Sequence, residues 1–133
     1  MKNLLFTLAL LVSFNSFGQT AEDYIDRAES KYDAGDFNGA IADYTKVIEL
    51  EPSESSEIYL EIGIIKDELN DQYGAIADFS KAIELDPNYA DAFLLRGLSK
   101  YELGDTRGCC SDFIKASKLG NKYATDLYSK LCK

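Results

Sequence analysis

The sequence predicts an all-α protein, a solenoid of three helical hairpins closed by a capping helix. Three observations carry this. The stretch GAIADYTKVIELEP, from Gly39 to Pro52, returns as GAIADFSKAIELDP from Gly74 to Pro87, with ten identities in fourteen positions. A third and weaker copy, GCCSDFIKASKLGN, runs from Gly108 to Asn121. The copies start 35 and then 34 residues apart, a spacing that accommodates two short helices and a turn. One such hairpin cannot bury its apolar face alone, but stacked hairpins can.

The elements follow in chain order. The first nineteen residues, MKNLLFTLALLVSFNSFGQ, hold one positive residue, Lys2, then an apolar run from Leu4 to Val12, then small and polar residues. This is the three-part layout of a secretory signal peptide. Nine residues make about 14 Å of helix at about 1.5 Å per residue, against about 30 Å of bilayer core, so the run is too short to span. Ser16 and Gly18 fit the small-residue cleavage positions, which predicts residues 1–18 as the signal peptide and 19–133 as the folded domain. An uncleaved anchor is the alternative.

Helices are expected at about 21–34, 37–50, 56–69, 72–85, 90–103 and 106–119, pairing into repeats at about 21–54, 56–89 and 90–121. Asp36, Asp71 and Asp105 stand just before the second helix of each pair, where a side-chain oxygen can cap free N–H groups. Pro52 and Pro87 disfavour helical geometry in the preceding residue and so end the second helices. The extra residue of the first spacing falls in PSESS. A seventh helix is expected over about 122–132, where Tyr123, Ala124, Leu127, Tyr128 and Leu131 recur at helical spacing between polar residues. One face of such a helix covers the last hairpin and the other meets water.

The repeat has a recognisable grammar. An aromatic slot holds Tyr24, Tyr59 and Phe93, and a small slot four residues later holds Ala28, Gly63 and Gly97. The second helices carry Ala40 with Tyr44, Ala75 with Phe79 and Cys109 with Phe113, followed on the same face by Val47, Ala82 and Ala116. In period and pattern the chain resembles the tetratricopeptide-repeat (TPR) family from about Ala21 to Asn121. The resemblance implies a right-handed superhelix and a protein-binding role. Arg27 and Arg96 replace the usual first-helix leucine, Asn70 replaces the usual turn glycine, and Gly120-Asn121 stands where a proline closes the other repeats.

Composition excludes several functions. The 133 residues carry 14 Lys plus Arg, 23 Asp plus Glu and no His, for a net charge of −9. An acidic surface opposes binding to nucleic acid phosphates or to an anionic membrane. Without His there is no Ser-His or Cys-His nucleophile–base pair, and no phosphate-binding glycine motif occurs. No enzyme activity, cofactor or small-molecule substrate is expected. Metal is not expected either, because three cysteines without His fall short of the four ligands zinc takes.

Those cysteines, Cys109, Cys110 and Cys132, fit an exported chain, in whose compartment disulfides persist. Cys110 lies ten residues before the turn at Gly120 and Cys132 twelve after it, so antiparallel helices bring them alongside. Cys109–Cys132 and Cys110–Cys132 both satisfy this. Cys109 occupies the buried small slot of its own hairpin, so Cys110–Cys132 is the favoured pair, with three buried free thiols as the alternative.

In the TPR family the first helices line a concave groove that holds peptides or partner segments. Carried onto this chain, the groove positions are Ile25, Leu60 and Leu94; Glu29, Ile64 and Leu98; and Tyr32, Asp67 and Tyr101, with Glu22, Glu57 and Asp91 along the edge. This groove would suit an apolar segment flanked by positive charge. The leucines and Ile64 could equally pack between neighbouring first helices, whereas Tyr32 and Tyr101 suit a half-wet interface. The basic clamp of chaperone-binding members is not expected, since its slots hold Ile25, Glu29, Glu61, Asp91 and Leu95. The function expected is an exported, periplasmic or secreted interaction module for a protein or peptide partner. The alternative is a structural envelope protein that self-associates into a homo-oligomer.

Overall fold

A computed structural model describes residues 19–133; the expected signal peptide lies outside the described residues. Seven α-helices and no strand occur among the described residues: α1 (Ala21–Asp33), α2 (Phe37–Leu50), α3 (Ser56–Glu68), α4 (Gln72–Leu85), α5 (Ala90–Glu102), α6 (Thr106–Lys118) and α7 (Lys122–Leu131). A short 3₁₀ turn, Pro52–Glu54, absorbs the residue that makes the first spacing longer than the second.

The capping residues act as their positions predict. Asp36, Asp71 and Asp105 accept from the backbone N–H of Gly39, Gly74 and Gly108 at 3.0, 2.9 and 2.9 Å. These glycines are part of the motif for a steric reason. A Cβ at Gly39 would stand 2.1 Å from the Asp36 carboxylate, and the other two positions are equally closed. Thr20 and Asp23 form a reciprocal capping box at α1, and Asn121 caps α7. Each hairpin turn passes through positive φ: Gly35 at 78°, Gly104 at 80° and Asn70 at 60°. Asparagine is among the few side-chain-bearing residues that tolerate this region, so it replaces glycine there without loss of the turn.

Three apolar clusters run along the stack. The first joins α1, α2 and α3 around Ala28, Tyr44 and Ile62. The second joins α3, α4 and α5 around Leu60, Phe79 and Ala92. The third joins α5, α6 and α7 around Phe93, Phe113 and Ala124. At the hairpin crossings the small slot receives the aromatic of the partner helix: a Cβ added at Gly63 would stand 2.5 Å from Phe79, and one at Gly97 2.8 Å from Phe113.

The two arginines that depart from the repeat pattern have a structural reason. Asp43, Asp78 and Asp112, all within the repeated motif, face the first helix of their own hairpin and pair with Lys31, Lys66 and Lys100 at 2.7, 2.6 and 2.9 Å. Arg27 adds a bond to Asp43 at 2.8 Å, and Arg96 grips both oxygens of Asp112 at 2.9 and 2.7 Å. Arg96 also donates to Ser80 on α4, tying the second hairpin to the third. At the equivalent position of the second repeat stands Ile62, which is buried in the first cluster, so Asp78 keeps Lys66 alone.

Candidate functional site

Between α1 and α3 the stack leaves open a cavity of about 360 Å³, lined by Ile25, Glu29, Tyr32, Asp33, Tyr44, Glu57, Ile58, Glu61 and Ile65. Of the nine groove residues expected from the sequence, Ile25, Glu29 and Tyr32 line it. The other six lie elsewhere. Leu60 and Leu94 are only 8% and 9% exposed and belong to the second and third apolar clusters, so they are core and not groove lining. Ile64 and Leu98 are half-buried against the same two clusters. Asp67 accepts a hydrogen bond from Ser99 Oγ at 2.9 Å and so links α3 to α5. Tyr101 is exposed on α5.

Equivalent positions part company because their neighbours differ. Tyr89 and Leu95 pack against the cluster that contains Leu60 and fill the space between α3 and α5. One repeat earlier, the same two positions hold Ser55 and Glu61. Ser55 is small and turns its hydroxyl to the Glu51 carbonyl, and Glu61 keeps its carboxylate towards the cavity. Large apolar side chains therefore close the second inter-repeat space, whereas the first stays open. Leu94 is covered in turn by the cap, through Ala124, Leu127 and Tyr128 of α7. Glu57, expected on the groove edge, and Glu61, expected in a clamp slot, also line the open cavity, whereas sequence reasoning missed Asp33, Tyr44, Ile58 and Ile65 as a cavity wall. Comparing residues 55 with 89 and 61 with 95 in the aligned repeats would have pointed to it.

The cavity is electrostatically one-sided. Among the described residues, none of Glu29, Asp33, Glu57 and Glu61 takes part in a salt bridge. Partial burial, then the carboxylates of Glu29 and Glu57, raise the Glu61 pKa. Burial, followed by Glu61, Glu29 and Asp33, pushes the Tyr44 hydroxyl up to about 12. The Tyr32 hydroxyl donates to Glu68, which raises its pKa, and so braces α1 against α3 at the cavity edge. Tyr44 is 4% exposed, and its hydroxyl has no hydrogen-bond partner among the described residues. It opens on the cavity.

At the other end of the stack, Cys110 of α6 and Cys132 after α7 are joined, with Cα atoms 5.7 Å apart. Cys109 is buried as a thiol, 3.8 Å from the Cys110 sulfur, and burial pushes its pKa up. The three sulfurs lie within 4.8 Å of one another. With two of them bonded together, one thiol is left, which is no ligand set for a metal ion. No helix among the described residues is long and apolar enough to cross a membrane.

Family profiles match two stretches of the chain, the first repeat and the α4–α5 helix pair. One described as tetratricopeptide repeat covers residues 24–54, and one described as TPR repeat covers residues 68–104. The chain belongs to the tetratricopeptide-repeat family. Solved TPR domains superpose on most of it. The second TPR domain of human RPAP3, in complex with the HSP70 peptide SGPTIEEVD, is 28% identical with a TM-score of 0.75, over 85% of this chain and 95% of that one. The Arabidopsis OM64 TPR domain is 26% identical with a TM-score of 0.74, over 84% and 93%. MamA is 28% identical with a TM-score of 0.75, over 84% of this chain and 61% of MamA. No curated protein matches the sequence.

Proposed function

We propose that this TPR protein is an interaction module that holds a peptide segment of a partner protein on its concave face, without catalysis. The observation that carries this is the open cavity between α1 and α3, walled by isoleucines and tyrosines and rimmed by unpaired carboxylates. A solved TPR domain with 28% identity binds a peptide, SGPTIEEVD. Three of that peptide's last four residues are acidic, and Glu29 and Glu61 stand here at positions where an acidic ligand would need cations. Like charges juxtaposed across an interface are repulsive, so the partner differs in chemistry from that peptide. The site fits an apolar segment with positive charge. The reading also has the module exported, periplasmic or secreted, supported by the leader layout of residues 1–18 and by a Cys110–Cys132 bond, which persists in oxidising compartments.

The experiment is affinity capture from a native cell-envelope extract. It compares the tagged chain with a Glu29→Lys/Tyr32→Lys double variant of unchanged helicity. A partner held by the native chain and lost by the variant is the expected result. Recovery of nothing but further copies of the chain would move the assignment to a self-associating structural protein.

A further inference from the structure

We propose that the α1–α3 cavity is a specificity pocket for one cationic side chain, a lysine or arginine, of the bound segment. This rests on the peptide-holding reading above and names the chemistry of its partner.

Two independent observations meet in the cavity. The first is charge: Glu29, Glu57 and Glu61, from two helices, converge on it without a cation of this chain among the described residues. Elsewhere in the same fold, three carboxylates that face the partner helix of their hairpin, Asp43, Asp78 and Asp112, are matched by lysine or arginine. The second is Tyr44. Its slot is filled by Phe79 and Phe113 in the other two repeats, so the packing needs only a ring. The hydroxyl is extra. It is carried on a side chain 4% exposed, points into the cavity and has no partner among the described residues. The hydroxyl is therefore the one part of a buried ring left free at the cavity, where it can accept from a ligand N–H group.

The walls select a side chain over a bare ion. Ile25, Ile58 and Ile65 offer apolar surface suited to the methylene stem of lysine or arginine, with the charged head at the carboxylates and Tyr44. At about 360 Å³ the space exceeds by roughly tenfold the ~30 Å³ that one water occupies, so it suits a side chain of several atoms. Burial, then repulsion from Glu29 and Glu57, raises the Glu61 pKa, and an arriving cation offsets both by stabilising the carboxylate.

The test uses the purified chain and an array of synthetic leucine- and alanine-rich peptides. Their central residue is lysine, arginine, norleucine, citrulline or glutamate. Peptides with lysine or arginine are expected to bind about tenfold or more tighter than their norleucine and citrulline counterparts, the factor expected for one charge-assisted bond. That preference is expected to shrink in Glu61→Gln and in Tyr44→Phe. The second variant places in repeat one the ring that repeats two and three already carry, so it keeps the fold. Equal binding of norleucine and lysine peptides would leave the peptide-holding reading intact and overturn the cation pocket. Binding of no peptide at all would remove both. Displacement of the lysine peptide by calcium chloride, but not by sodium chloride of equal ionic strength, would make the pocket a metal-ion site and overturn the inference.

Discussion

Replacing Asp112 by alanine removes the anion that holds two cations of α5 against α6. The Asp112 side chain is 4% exposed, and those of Arg96 and Lys100 are 19% and 21% exposed. Arg96 contributes two bonds of 2.9 and 2.7 Å, and Lys100 a third contact at 2.9 Å. Breaking a buried pair by deleting one partner costs about 3–5 kcal/mol, because the surviving charge stays where water is scarce. Here the survivors keep about a fifth of their exposure and can turn outward, which puts the loss near the lower end, about 3 kcal/mol. In a domain of this size that corresponds to roughly 10–12 °C in Tm. Urea unfolding at neutral pH, followed by the helical circular dichroism signal, measures it. Asp78→Ala is the internal control: Asp78 holds Lys66 alone and is itself more exposed, so its removal is expected to cost less, about 1–2 kcal/mol. A loss under about 1 kcal/mol for Asp112→Ala, or equal losses for the two variants, would refute the reasoning from burial and partner number.

Gly63→Ala is expected to destabilise by about 1 kcal/mol in urea, since the new Cβ would stand 2.5 Å from Phe79, a ring 1% exposed, and overpacking outweighs the helix-propensity gain of alanine. An unchanged midpoint would mean that the α3–α4 crossing yields freely. Mass tagging of unreduced, denatured protein is expected to modify one thiol, Cys109, and reduction of the Cys110–Cys132 link to lower stability by about 3 kcal/mol. Three tagged thiols would sink the disulfide. Tyr44 holds its proton up to about 12 in the folded state against the ordinary 10.0. The folded form therefore binds the proton more tightly, so the group's contribution is full below pH 10 and is lost as pH rises from 10 to 12. Tyr44→Phe is expected to move alkaline unfolding to higher pH, and an unshifted midpoint would contradict the burial of that hydroxyl.

Most of the architecture was legible in the sequence because it is set by short-range physics. Aspartate caps act on an N–H three residues on, prolines end the preceding helix, and apolar positions recur at helical spacing within one element. These signals placed all seven helix starts, with ends differing by at most one residue where helices run into their caps. The core slots at Ala28, Gly63 and Gly97 and at Tyr44, Phe79 and Phe113 followed from the repeat alone.

The candidate site was legible only in part. Alignment treats Ile25, Leu60 and Leu94 as one position, yet only Ile25 faces a cavity. The difference lies in what the next helix sets opposite: Ser55 and Glu61 in one case, Tyr89 and Leu95 in the other. Arg27 and Arg96 read as departures from the pattern until Asp43 and Asp112, sixteen residues on in each repeat, were seen beside them. The sequence by itself determined where each helix begins, which face it buries and how the hairpins repeat, since each of these depends on residues a few positions apart. Only the tertiary structure decided which inter-helix space stays open and which charges go unmatched. Exposure and pairing are properties of two surfaces brought together, and one of those surfaces always comes from a distant part of the chain.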